Sequence, residues 1–187
     1  MSQPHRVDGV FRTLSMDLVH DWTYSKLVRR NVMSPDGEHF ARTYVDSPGA
    51  VAVVAVTDDD KVVLVRQYRA TVDGFVVEIP AGMKDVDGEP GLETAKRELV
   101  EEAGYEATVW RALGSILSTP GVSNSTVEIH LATGLRSVPV EPHGPEERQM
   151  TVSLVPFTEA VRMCMEDEIV DSKSVAGILR AARLLGR

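Results

Sequence analysis

Two apolar runs, Ala50–Val56 and Val62–Gln67, constrain this chain more than any other feature. Both are short and rich in β-branched residues, and neither alternates with polar positions. Such runs read as strands buried in the centre of a sheet. The polar stretch Asp58-Asp59-Asp60-Lys61 between them predicts a hairpin.

The remaining segments fill in an α+β pattern, a mixed sheet with a few helices packed on it. Upstream, Val19–Met33 and His39–Val45 flank the turn signal Ser34-Pro35-Asp36-Gly37 and read as a β-hairpin or a pair of long strands. Residues 1–10 read as loosely ordered. Phe75–Ile79 is a short strand ended by Pro80. Pro90–Ala103 is a helix with Glu89 and Pro90 at its start and Gly104 as its stop. Thr108–Leu113, Val127–Ala132 and Val152–Pro156 read as strands, and the proline-rich segment Val138–Arg148 as a loop. Thr158–Glu166 and Ser172–Leu185 read as amphipathic helices opened by hydroxyl caps.

Composition narrows the function classes. The chain has 187 residues, of which 43% are hydrophobic, enough for one globular domain with some extension. Its net charge of −8 argues against a general nucleic-acid binder, which would carry a basic stripe. A small anionic substrate remains compatible where local arginines or metal ions overcome the background field. The single cysteine, Cys164, excludes an internal disulfide and reads as a packed helical side chain. No secretory leader is visible and no apolar run is long enough to span a bilayer, so no membrane partner and a cytoplasmic location are expected.

The chemistry is expected on the Pro90–Ala103 helix. Glu98, Glu101 and Glu102 stand at i, i+3 and i+4 and so share one helical face. Leu92, Ala95 and Leu99 form the neighbouring apolar stripe that docks the helix. Crowding like charges costs a few tenths of a kcal/mol per pair, on the order of ordinary surface effects, and a hard divalent cation reverses that sign. Alone, the acidic face reads more readily as solvated surface balanced by Lys96 and Arg97 than as an active site.

The wider spacing decides between them. Gly82, six residues, Glu89, seven residues, then Arg97-Glu98-Leu99-Val100-Glu101-Glu102-Ala103-Gly104-Tyr105 resembles the Nudix box, G-x5-E-x7-R-E-U-x-E-E-x-G-U with U a bulky apolar residue. The first spacer is one residue longer than the family's, and the extra residue falls in the loop at Asp85–Gly88. The resemblance implies a Nudix-type α/β/α sandwich with a mixed β-sheet. It implies Mg²⁺, or Mn²⁺, held by Glu98, Glu101, Glu102 and the backbone carbonyl of Ala81. Arg97 would orient a glutamate, either Glu101 or Glu93.

The flanks resemble the ADP-ribose pyrophosphatase branch of that family. Glu78-Ile79-Pro80-Ala81-Gly82 looks like its E-x-P-A-G lead-in. Pro120 follows Gly104 near the offset at which that branch carries a proline, although Ser125 stands where many members have an acidic residue. Residues 1–47 look like its N-terminal antiparallel β extension, with residues 48–187 as the Nudix hydrolase domain. The resemblance implies hydrolysis of ADP-ribose to AMP and ribose 5-phosphate. Alternatives are another nucleoside diphosphate sugar, such as another ADP-sugar or GDP-mannose, and a sensor module that binds ADP-ribose without cutting it. Arg69 would clamp phosphate, and Arg66 reads either as a second contact or as a surface charge. Glu78, Gly82 and Met83 would line the nucleoside pocket. Trp22 and Tyr24 would sandwich the adenine, and Arg42 would reach a phosphate from the partner in a homodimer formed by N-terminal strand exchange. The general base would come from a loop, Glu147 by best register and Glu146 next. Trp110 matches no site position and reads as core.

Overall fold

A computed structural model of the chain describes residues 10–140 and 147–187. It divides into two compact units. The first comprises the chain up to Pro48 together with Thr119–Ser125, and the second comprises Gly49–Ser118 with Thr126–Arg187.

The first unit is an antiparallel sheet, β1 (Arg12–Asp21), β2 (Lys26–Met33) and β3 (His39–Asp46), in that order. The expected long strand over Val19–Met33 is interrupted. The Trp22 N–H donates to the Ser25 carbonyl at 2.8 Å, closing a turn that reverses the chain from β1 into β2. Trp22 and Tyr24 therefore sit in a turn rather than a strand. The second reversal falls at Ser34–Glu38, where Gly37 supplies a φ of 88°. The segment Thr119–Ser125 joins this unit through the end of β3. The Val45 N–H donates to the Val122 carbonyl, and the Asn124 carboxamide oxygen accepts the Ser47 N–H at 2.9 Å.

The second unit contains two sheets. One has the order β7 (Ala81–Met83), β4 (Ala50–Ala55), β9 (Thr126–Ser137), β8 (Tyr105–Leu117). The other is β10 (Thr151–Pro156), β5 (Lys61–Arg69), β6 (Gly74–Glu78). The β4–β9 pair is parallel and the other pairs are antiparallel. The expected hairpin between the two apolar runs closes only at its turn, through the bridge Val56–Val62 and the Thr57 N–H to Lys61 carbonyl bond. A strand has two hydrogen-bonding edges. β4 spends its edges on β7 and β9, and β5 spends its own on β10 and β6, so the runs part into different sheets.

Among the described residues, three α-helices cover these two sheets: α1 (Gly91–Ala103), α2 (Phe157–Met165) and α3 (Ser172–Leu185). Alternation along β4 serves both faces. Val51, Val53 and Ala55 pack with Ala95, Leu99 and Ala103 of α1. Ala52, Val54 and Val56 pack with residues of α2 and α3, among them Phe157, Ala160, Ile178 and Ala181. Burial on both faces is why the run shows no polar alternation. The result is a mixed sheet between helical layers, the α+β sandwich that the sequence predicts. Trp110 is half-buried against the α1-side core, with its indole N–H on the Ala107 carbonyl.

α3 approaches the sheet closely at Gly177. A Cβ there would lie 2.9 Å from Val54, 3.0 Å from Ile79 and 3.2 Å from Ile129. Gly177→Ala is therefore expected to destabilise the protein by roughly 1–3 kcal/mol through overpacking, although a glycine-to-alanine change inside a free helix stabilises by about 1 kcal/mol. Thermal unfolding checks the sign, and an unchanged or raised midpoint would show that this interface yields.

Candidate active site

Docking of α1 fixes its acidic face. With Ala95 and Leu99 fully buried against β4, Glu98 and Glu102 fall beside the seam, only 9% and 8% exposed. The helix begins after Pro90, where the Thr94 hydroxyl donates to Glu89 at 2.8 Å. It stops at Gly104, whose φ of 69° allows the left-handed cap.

β7 brings backbone against these carboxylates. The Ala81 N–H donates to Glu102 Oε2 at 2.8 Å. At Gly82 the Glu98 carboxylate occupies the space that a Cβ would take. Burial pushes the Glu102 carboxyl up to about 8, and the negative charge of Glu98 adds to this; the Ala81 N–H, Arg69 and Lys173 work the other way.

Arg97 gathers the remaining acids. Its guanidinium lies 2.8 Å from Glu98 and 3.1 Å from each of Glu101 and Asp85, with Glu89 at 3.5 Å. Of its two expected partners, Arg97 takes Glu101, while Glu93 pairs with Lys96 at 2.8 Å. Among the described residues no three His, Cys, Asp or Glu side chains form a ready cage for a metal. Glu98 and Glu101 turn to Arg97, and Glu102 to Ala81. The donor set nevertheless fits a hard divalent cation. It offers only oxygen, it lies in a cradle kept open by Gly82, and the negative charge of Glu98 opposes ionisation of Glu102, an opposition that a cation would relieve.

A second charged cluster adjoins the first. Glu78, 3% exposed, accepts a bidentate bond from Arg69 Nε and Nη2, both at 2.7 Å. The Lys173 Nζ lies 2.5 Å from the same Oε2 and 3.0 Å from Asp171. Burial favours protonation of Glu78, but Arg69 and Lys173 outweigh it and hold the carboxyl below its usual range. The Ser174 hydroxyl, fully buried, accepts the Ile79 N–H at 2.9 Å and donates to Asp171, which also caps α3 by accepting the Ser174 N–H. The first turn of α3 thus holds the strand end that leads into Ala81 and Gly82. Sequence reasoning missed Lys173, Asp171 and Ser174. Their signal was local: a lysine in the first helical turn, where a cation opposes the helix dipole.

Arg66 is on the opposite face of β5 from Arg69 and lies over the Phe75 ring, 3.9 Å from its centroid. Met83 is half-buried on β7, paired with Ala50. Trp22, Tyr24 and Arg42 belong to the first unit. Trp22 and Tyr24 are exposed, and Arg42 stacks on Phe40 at 4.8 Å. Glu146 and the side chain of Glu147 lie outside the described residues; the backbone of Glu147 opens a short 3-10 turn, Glu147–Gln149. A cavity of about 600 Å³ opens on the outer flank of α1. It is lined by Glu93, Arg97, Glu101, Glu106 and Trp110 among others, and touches neither Glu98 nor Glu102.

The NUDIX domain family matches residues 46–176. An ADP-ribose pyrophosphatase of Mycobacterium tuberculosis is 41% identical over 90% of this chain and 82% of its own length. An ADP-ribose pyrophosphatase of Bacillus subtilis is 32% identical, covering 89% of this chain and 90% of its own. Among solved structures, an ADP compounds hydrolase superposes with a TM-score of 0.82 over 97% of both chains at 19% identity, a likeness of fold.

Proposed function

This chain belongs to the NUDIX domain family, and from that premise we propose that it is a pyrophosphohydrolase that cleaves ADP-ribose to AMP and ribose 5-phosphate. The observation that carries this reading is the nearly buried Glu98–Glu102 pair packed on the Ala81–Gly82 backbone, with Arg69 alongside. The ADP-ribose pyrophosphatases at 41% and 32% identity support the substrate.

Glu98 and Glu102, with Glu101 and the Ala81 carbonyl, would hold Mg²⁺ or Mn²⁺. A cation held there supplies charge that offsets the diphosphate and lowers the pKa of a bound water. Arg69 faces the phosphates with the donors that Glu78 leaves unused. Arg97 keeps Glu98 and Glu101 in place. Glu147, or Glu146 in its stead, takes the proton of the attacking water. The water oxygen bonds to one phosphorus, the bridging P–O bond breaks, and the departing phosphate keeps the electron pair. Positioning and charge account for the rate, as expected for phosphoryl chemistry. Glu78, Gly82 and Met83 line the nucleoside side, Trp22 and Tyr24 supply stacking faces, and Arg66 serves as a surface charge.

The N-terminal sheet completes the reading. β1 leaves Leu14, Met16 and Leu18 between 44% and 59% exposed. A second copy covering them by strand exchange makes the protein a homodimer whose sites draw on the partner's extension. Light scattering at micromolar concentration should give twice the chain mass, and a monomer would remove this part of the proposal. No described helix is long and apolar enough to cross a membrane, and the cytoplasm is the proposed location.

Product analysis tests the reaction itself. With Mg²⁺, ADP-ribose should give equal amounts of AMP and ribose 5-phosphate, faster than ADP-glucose, GDP-mannose, NADH or diadenosine polyphosphates at equal concentration. Tight binding of ADP-ribose without AMP release would instead mark a sensor, and faster turnover of another sugar nucleotide would reassign the substrate.

A further inference from the structure

Lys173 is placed against two ordinary preferences. It is the second residue of α3, where the helix dipole disfavours a cation, and its side chain is only 14% exposed. Its position is explained by what it holds. Nζ shares Glu78 Oε2 with Arg69 Nη2, at 2.5 and 2.7 Å, so one buried carboxylate lies between two cations. Asp171 offsets part of the surplus on the far side, with Oδ1 on Lys173 and Oδ2 occupied by the helix cap. Of the two cations, Arg69 is the one that reaches outward, 39% exposed.

We propose that Lys173 is a positioning residue that draws on the charge of Glu78, so that Arg69 is held in place by the carboxylate without being neutralised by it. If Lys173 were absent, Glu78 and Arg69 would form a closed one-to-one bidentate pair, and the outward guanidinium would carry little net attraction for an anion. With Lys173 present, Arg69 is fixed in orientation and retains a positive surplus directed at a diphosphate. The inference rests on the proposed reading that Arg69 meets the substrate's phosphates.

The test is kinetic. K173Q keeps hydrogen-bond donors and removes the charge. It should raise KM for ADP-ribose on the order of tenfold with kcat changed far less, the size of one partly buried charge interaction. K173R should restore most of the loss. D171N keeps a competent α3 cap and removes the anion that offsets Lys173, so it should move KM the other way, downward. Lowered thermal stability in K173Q with an unchanged KM would overturn the proposal and leave Lys173 as a neutraliser of Glu78. If K173Q fails to fold, D171N decides: an unchanged or raised KM there overturns it. Failure of the wild type to release AMP would instead strike the proposed reaction, so the two outcomes separate.

Discussion

Glu102→Gln is expected to reduce turnover of ADP-ribose by about three orders of magnitude or more while leaving the fold intact, the scale typical for loss of a group that organises transition-state charge. Glutamine has the shape of glutamate and its carbonyl can still accept the Ala81 N–H that now reaches Glu102 Oε2 at 2.8 Å. What is lost is the negative charge that the ionised carboxylate would offer a cation. Near-normal turnover would end the assignment of Glu102 as a metal ligand. The same substitution carries a signature independent of activity. The Glu102 carboxyl sits near 8 in the metal-free protein, against an ordinary value of 4.5. From pH 4.5 upward the unfolded chain ionises this group while the folded protein keeps its proton, so stability falls with rising pH and levels off above about 8. Metal-free E102Q should lack that slope: equal to the wild type near pH 4.5 and more stable than it at pH 8, by on the order of a few kcal/mol. Adding Mg²⁺ should stabilise the wild type and not the variant. Denaturant titrations at the two pH values, with chelator and with Mg²⁺, read all three effects.

Gly82→Ala is expected to abolish activity nearly as completely, for a steric reason. The added methyl would fall on the Glu98 carboxylate. Glu98 has little room to retreat, because it is 9% exposed and Arg97 holds it at 2.8 Å. The alternative is a shift of β7 away from β4, which breaks pairings at Ala50–Met83 and Ala52–Ala81. Either movement separates Glu98 from Glu102 and the Ala81 backbone. The folded core on the other side of β4 does not depend on this contact, so the variant should retain cooperative unfolding while losing metal-dependent stabilisation. A G82A protein with wild-type kcat and Mg²⁺ response would show that the cradle is not where the cation sits.

Much of this was legible in the chain because helical spacing is rigid. Glu98, Leu99 and Glu102 could be assigned to faces of α1 from their order alone, and Gly82 with Arg97 marked what the acids lie against. Pairing of strands was less legible. Ala50–Val56 and Val62–Gln67 look like the arms of a hairpin because sequence neighbours usually pair, and nothing local reveals that each edge is taken by a distant strand. The break at Trp22–Ser25 was hidden because Trp22, Thr23 and Tyr24 within it are themselves residues that favour strands. Arg69 and Glu78 were singled out separately, but their bidentate pairing depends on the β5–β6 register. Lys173 arrives from another helix, 95 residues along the chain from Glu78. Contacts of that kind are decided by tertiary packing, which no window of sequence contains.

The parting of β4 from β5 also has a temporal consequence. β4 can complete neither face nor edge with the residues that immediately follow it, since its parallel partner is Val127–Ala132. A chain emerging residue by residue can pair β4 with β7 and cover one face with α1, but the other edge must wait for β9 and the other apolar face for α2 and α3. High contact order of this kind slows folding and lengthens exposure to misassembly. The centre of the sheet, which is the most protected part of the finished protein, is the part left waiting longest during its synthesis.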